Sequence, residues 1–273
     1  MVRSRGWAAV AAAFVLSVAS ACGGGPAAPQ PGHLPTSSPP TTPASTPSTA
    51  AGSAPAKPVA GVGCPSNAKG GRQAHFGQDL GGLVFGTGRT GVVLSHQSDG
   101  DLCQWLPYGK ELAQRGYRVL AFDFPGTGAS TDSKAALDDA VVAAAAFLRS
   151  DGASKVVLIG ASMGGTASIA AAVKIRPPVA GVISLSGPGV FQDTRAIDAA
   201  PELAVPVLYV AAEDDPTFAN AAHELYDATP TMISRKLVML PSGGHGVQLL
   251  DADLGAPAGP EVTKFLNAVA PAS

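Results

Sequence analysis

From about Val59 to Ser273, short apolar runs alternate with stretches of helical character. Leu83-Val84-Phe85 and Gly91–His96 read as two adjacent strands joined by the turn Thr87-Gly88-Arg89-Thr90. Leu106–Arg115 then reads as a helix stopped by Gly116. Tyr117–Asp123 is a further strand and ends in the loop Pro125-Gly126-Thr127-Gly128. An alanine-rich helix is expected over Ser133–Arg149, with Ser133 placed to cap it. Lys155–Gly160 is a continuous apolar run, the pattern of a central parallel strand covered on both faces. A helix from Met163 to Lys174 follows it, and Gly181–Leu185, Val205–Ala211 and Lys236–Leu240 are later strands. Helices near Phe218–Ala228 and Pro260–Ala270 separate or follow these. Strand–helix alternation of this kind predicts an α/β fold, a mostly parallel sheet between two layers of helices. Sites in such sheets form in loops at the carboxyl ends of the strands.

The first 58 residues have a different character. Arg3 and Arg5 precede a short apolar run, Trp7–Val18, so residues 1–21 read as an export signal. The run is shorter than the roughly 18–20 apolar residues a spanning helix needs. Residues 22–58 are almost wholly Pro, Ser, Thr, Ala and Gly, too poor in large apolar side chains to offset the entropy of ordering, and are expected to be an extended tether. That leaves residues 59–273 as a single domain. Val18-Ala19-Ser20-Ala21-Cys22 resembles a bacterial lipobox, with Ala19 where leucine is more usual. The resemblance implies lipidation of Cys22 and a membrane anchor on the outer face of the cytoplasmic membrane. The alternative is plain cleavage after Ala21, leaving a free thiol.

The net charge of −2 and the lack of a basic run argue against nucleic acid as a partner. Two cysteines remain in the domain, Cys64 and Cys103, and export to an oxidising compartment predicts a disulfide between them, the alternative being two buried thiols. No His/Cys cluster has the spacing of a zinc site, so no structural metal is expected, and the candidate chemistry of the strand ends implies no organic cofactor.

The strand ends carry the candidate chemistry. Gly160-Ala161-Ser162-Met163-Gly164 fits G-x-S-x-G between the clearest strand and a helix, as a strained nucleophile turn requires. A serine hydroxyl needs a base, and His245 in Ser242-Gly243-Gly244-His245-Gly246 follows a strand late in the chain. His223 competes but falls in an expected helix; His33 lies in the tether, and His75 and His96 precede the serine. Between serine and histidine, Glu213-Asp214-Asp215 offers three carboxylates at one strand end, any of which has the chemistry to orient an imidazole.

The order Ser162, acid, His245 resembles that of the α/β-hydrolase family. Val92-Val93-Leu94-Ser95-His96-Gln97 resembles its strand leading to an oxyanion loop, and Phe122–Ser130 its Asp-x-x-Gly-x-Gly-x-Ser loop. The family's acid commonly follows a small residue by three positions, which from Ala212 selects Asp215 over Asp214. The resemblance implies an oxyanion hole made by the Met163 N–H with a second donor at Ser98 or Gln97. Gln97 departs from the pattern, since glycine usually follows the histidine. The interval Pro188–Pro206 is too short for a large cap, so the cleft is expected to be open. Taken together, these features predict a monomeric esterase acting on ester-containing substrates at the cell envelope. Acyl transfer or peptide cleavage would use the same residues, and a non-catalytic binding lipoprotein is the rival of another class.

Overall fold

The computed structural model describes Cys64 and residues 71–131, 134–241, 243–254 and 257–273. The expected export signal, Cys22 and the tether lie outside the described residues, as does Ser133.

Eight strands form one sheet: β1 (Arg72–Phe76), β2 (Leu80–Phe85), β3 (Thr90–Ser95), β4 (Arg118–Phe122), β5 (Lys155–Ala161), β6 (Gly181–Leu185), β9 (Val207–Ala212) and β10 (Arg235–Leu240). Between β6 and β9, β7 (Val190–Phe191) and β8 (Thr194–Arg195) pair apart from the sheet as a short antiparallel ribbon. The order across the main sheet is β1-β2-β4-β3-β5-β6-β9-β10. β1 with β2 and β2 with β4 are antiparallel; every later pairing is parallel. The helices are α1 (Leu106–Gln114), α2 (Leu137–Ser150), α3 (Met163–Ala172), α4 (Ala196–Ala199), α5 (Pro216–Ala228) and α6 (Gly259–Val269).

Side chains alternate between two cores. On one face Val93, Val156, Leu158, Val207 and Tyr209 pack with residues of α2, α3, α4 and α5. On the other, Val92, Leu94, Val157, Ile159, Leu208 and Val210 pack with α1 and α6. β5 is therefore apolar along its length because both of its faces are covered. Truncating a side chain there, as in Leu158→Ala, would cost about 2–5 kcal/mol.

The structure corrects two sequence expectations. β2 and β3 are not neighbours: β4 lies between them, paired to both. The connection from β2 to β3 crosses the entry of β4, and a Cβ at Gly88 would lie 1.9 Å from the Gly116 carbonyl. A turn signal constrains chain direction without specifying which strand fills the gap. The alanine-rich helix begins at Leu137 rather than Ser133, after Ala136 with extended backbone and no side-chain cap. The antiparallel edge strand β1 has no counterpart in the sequence expectations, because Arg72, Gln73 and His75 are exposed and only Ala74 and Phe76 are buried.

β3 is followed by α1 on one face, and β5 by α3 on the other, so the crossovers diverge between these adjacent strands. A crevice opens at such a point, beyond the carboxyl ends of the strands. Among the described residues only the β7–β8 ribbon, the one-turn α4 and a short 3-10 turn stand between β6 and β9, so no cap domain covers it.

Candidate active site

Ser162 sits between β5 and α3 with φ 47° and ψ −116°, outside the regions ordinary L-residues favour. The surrounding structure enforces this geometry. The Ser162 N–H donates to the Leu185 carbonyl at 2.8 Å, and its carbonyl accepts from Gly165 and Thr166 N–H at 2.8 and 3.1 Å. The flanking glycines answer a steric demand: a Cβ on Gly160 would lie 2.0 Å from the Gly164 carbonyl, and one on Gly164 2.1 Å from the Ser95 carbonyl. The turn leaves Met163 N–H, at the positive end of α3, with no backbone acceptor among the described residues.

His245 and Asp215 arrive from β10 and β9. The Nδ1 of His245 lies 2.8 Å from Oδ2 of Asp215. Phe218 of α5 packs edge-on against the imidazole, ring centroids 4.2 Å apart, so the ring is held by a carboxylate and an aromatic wall together. Asp215 stands at the N-terminus of α5, its carbonyl taking the Phe218 and Ala219 N–H bonds, which aim its side chain at the histidine loop. Glu213 and Asp214 are exposed. His223 is exposed on α5 and His75 exposed on β1.

Ser162, His245, Gln97, Ser98, Asp99, Pro188, Phe191, Thr217 and Phe218 line one cleft of about 320 Å³. The larger cavity, about 560 Å³, adjoins it through the shared residues Gln97 and Asp99 and continues along α1 to Leu250 and Asp251. Among the described residues no lysine or arginine lines either, whereas Asp99, Glu111 and Asp251 contribute carboxylates.

The loop after β3 is fixed by its histidine. Phe124 N–H donates to His96 Nε2 at 3.0 Å, so the ring proton sits on Nδ1, which donates to the Gln97 carbonyl at 2.7 Å. Burial holds the His96 pKa below the usual histidine value, consistent with a neutral ring. In a trans peptide the C=O and the next N–H point in opposite directions. With its carbonyl turned to His96, the Gln97–Ser98 peptide directs the Ser98 N–H away from that ring.

The family model described as the alpha/beta hydrolase fold matches residues 84–200. The chain has the α/β-hydrolase fold. Solved structures agree across almost their whole length. An esterase from Pyrococcus furiosus superposes with TM-score 0.64 at 16% identity, covering 77% of this chain and 95% of that one. A Paleococcus ferrophilus monoacylglycerol lipase gives 0.56 at 16%, covering 73% and 99%. A bacterial membrane phospholipase A gives 0.59 at 17%, covering 74% and 87%. Comparison with curated proteins finds no match.

Other features of the hydrolase fold here are structural. Asp123, after the end of β4, accepts from Leu102 N–H and Ala129 N–H, each at 2.7 Å, and burial raises its carboxyl to about 6. The Ser130 hydroxyl donates to the Asp123 carbonyl and accepts from Gly81 N–H at 2.9 Å, tying this loop to β2. Cys64 and Cys103 are joined by a disulfide, Cα atoms 5.5 Å apart, beside the turn that Asp101 caps through the Cys103 N–H. Phe218 and Asp99 have no signal in the sequence: each reads as an ordinary helix or loop residue until the fold brings it to His245 or Ser162.

Proposed function

We propose that this protein is a serine hydrolase of carboxylic esters, with Ser162 as nucleophile, His245 as general base and Asp215 as the acid that orients it. The observation that carries the reading is the His245–Asp215 hydrogen bond at the rim of the cleft that also holds Ser162 on its strained turn. Strained backbone of this kind concentrates at active sites, and here it coincides with the cleft that the histidine and its carboxylate border.

In the first half-reaction Ser162 Oγ attacks the ester carbonyl carbon while its proton passes to His245 Nε2, and Asp215 holds the Nδ1–H and stabilises the imidazolium. The carbonyl oxygen, now anionic, takes hydrogen bonds from the Met163 N–H and the Ser98 N–H. Each such donor contributes about 3–4 kcal/mol. Collapse breaks the bond to the alcohol oxygen, which leaves with the proton from His245. Water then attacks the acyl-serine, His245 removes its proton, and collapse returns that proton to Ser162 as the acid departs.

An ester substrate is supported by the structural neighbours, which include an esterase, a monoacylglycerol lipase and a phospholipase A. The uncapped cleft suits esters presented on a surface or polymer. A wall with carboxylates and no cationic side chain among the described residues disfavours anionic acyl groups. Anchorage through Cys22 to the outer face of the cytoplasmic membrane completes the proposal: the enzyme works on envelope or extracellular esters.

The test is covalent labelling by a fluorophosphonate, read by intact mass. One adduct per chain is expected, absent in Ser162→Ala and in His245→Ala. No adduct on the folded wild-type protein would overturn the reading.

A further inference from the structure

Gln97 stands where the family pattern expects glycine, and the residue is 6% exposed. A buried primary amide must satisfy both ends. Gln97 does so by reaching across the site: Oε1 accepts the Val247 N–H at 3.1 Å, and Nε2 donates to Asp99 Oδ1 at 2.8 Å. Its own carbonyl is meanwhile held by His96. The amide orientation is unambiguous, because an N–H faces one end and a carboxylate the other. One residue thus joins the loop after β3, which carries Ser98, to the loop after β10, which carries His245, across 150 positions of sequence.

The histidine loop is shaped to receive it. Gly246 has φ +59°, and a Cβ there would lie 2.2 Å from Gln97 Oε1. The amide oxygen therefore occupies the space that any other residue at 246 would need. The His245 N–H is held in turn by Gln248 Oε1 at 3.1 Å, so the loop is anchored on both sides of the imidazole-bearing residue.

We propose that Gln97 is a positioning residue that locks the oxyanion loop to the histidine loop, setting the distance between the Ser98 N–H and the His245 imidazole. This rests on the serine-hydrolase reading above. It acts through Ser98 and His245 and touches no reacting atom, so its loss should lower turnover while leaving substrate binding nearly intact.

Three variants test it. Gln97→Ala should lower kcat about tenfold to a hundredfold, the effect of a small displacement at the reacting centre, with KM within about threefold. Gln97→Glu keeps an acceptor for Val247 but sets a carboxylate against Asp99, and should lose comparable kcat. Gln97→Glu combined with Asp99→Asn restores donor to acceptor at both ends, because the amide introduced at position 99 donates to the carboxylate introduced at position 97. Its kcat should return to that of Asp99→Asn alone. A merely space-filling residue would give no such rescue. A Gln97→Ala kcat within twofold of wild type, or a double variant no better than Gln97→Glu, would overturn the proposal. Amide exchange at Val247 is read on the same proteins and should be faster in Gln97→Ala. Equal protection there also overturns it. If wild-type protein neither labels nor turns over ester, the hydrolase reading fails, and Val247 exchange still decides whether the lock exists.

Discussion

Two histidine–aspartate sets flank Ser162 across the sheet, and they share composition and almost nothing else. His96 and Asp123 follow β3 and β4 on one side; His245 and Asp215 follow β10 and β9 on the other. His96 has both ring nitrogens committed to the backbone, and Asp123 both carboxylate oxygens. These two hold loops. His245 turns Nδ1 to the Asp215 carboxylate and lines the cleft with Ser162. A titratable side chain is available for chemistry only in the valence its surroundings leave unspent. Position at a strand end is shared by all four residues and so decides nothing.

Truncating the two histidines gives the widest separation. On the proposed mechanism His245→Ala should lower kcat by about 10⁶ with little change in Tm, because its ring is partly exposed. His96→Ala should do the reverse in emphasis. It strands the Phe124 N–H in a buried site, which costs about 1–3 kcal/mol before any cavity cost is added. Ester kinetics beside thermal melts check both. Comparable kinetic loss in the two variants would erase the distinction.

The carboxylates come next. Asp215→Asn should lower kcat by about 10⁴, since an amide at that place selects the wrong imidazole tautomer. Asp214→Asn, one residue away and exposed, should leave kcat within about twofold. Asp123→Asn should act on stability, because an amide nitrogen would face one of the two backbone N–H donors at Leu102 and Ala129. Measuring kcat and urea midpoints for the three variants separates orientation of a base from support of a loop.

How much of this is legible in the sequence follows the range of the interactions. The parallel strands and the turn around Ser162 are readable because continuous apolar runs and flanking glycines are local signals. Asp215 is separable from Asp214 only through family spacing; composition offers three equivalent acids, and which one faces inward depends on how α5 starts at Pro216. A β2–β3 pairing is the natural local reading and is wrong, because β4 arrives between them from later in the chain. Gln97 is visible as a departure from pattern, but its partner Val247 lies 150 residues away, and nothing local points there.

The smallest effect is a pH dependence in which the structural pair opposes itself. Burial lowers the His96 pKa, so the neutral ring belongs to the folded state. Its contribution to stability is complete above the unfolded value near 6.5 and is lost as pH falls through the lower folded value. Asp123 runs the other way. Its pKa is raised from 3.8 to about 6, so its contribution is complete below about 4 and is lost as pH rises through 6. In the wild type the two slopes partly cancel between about pH 4 and 6.5. Each single variant should uncover the other: His96→Asn should flatten the loss of stability on the acid side, and Asp123→Asn should steepen it. Urea midpoints of the three proteins at about pH 4.5, 5.5 and 7 measure this. Parallel pH profiles in all three would mean that neither loop residue titrates with folding.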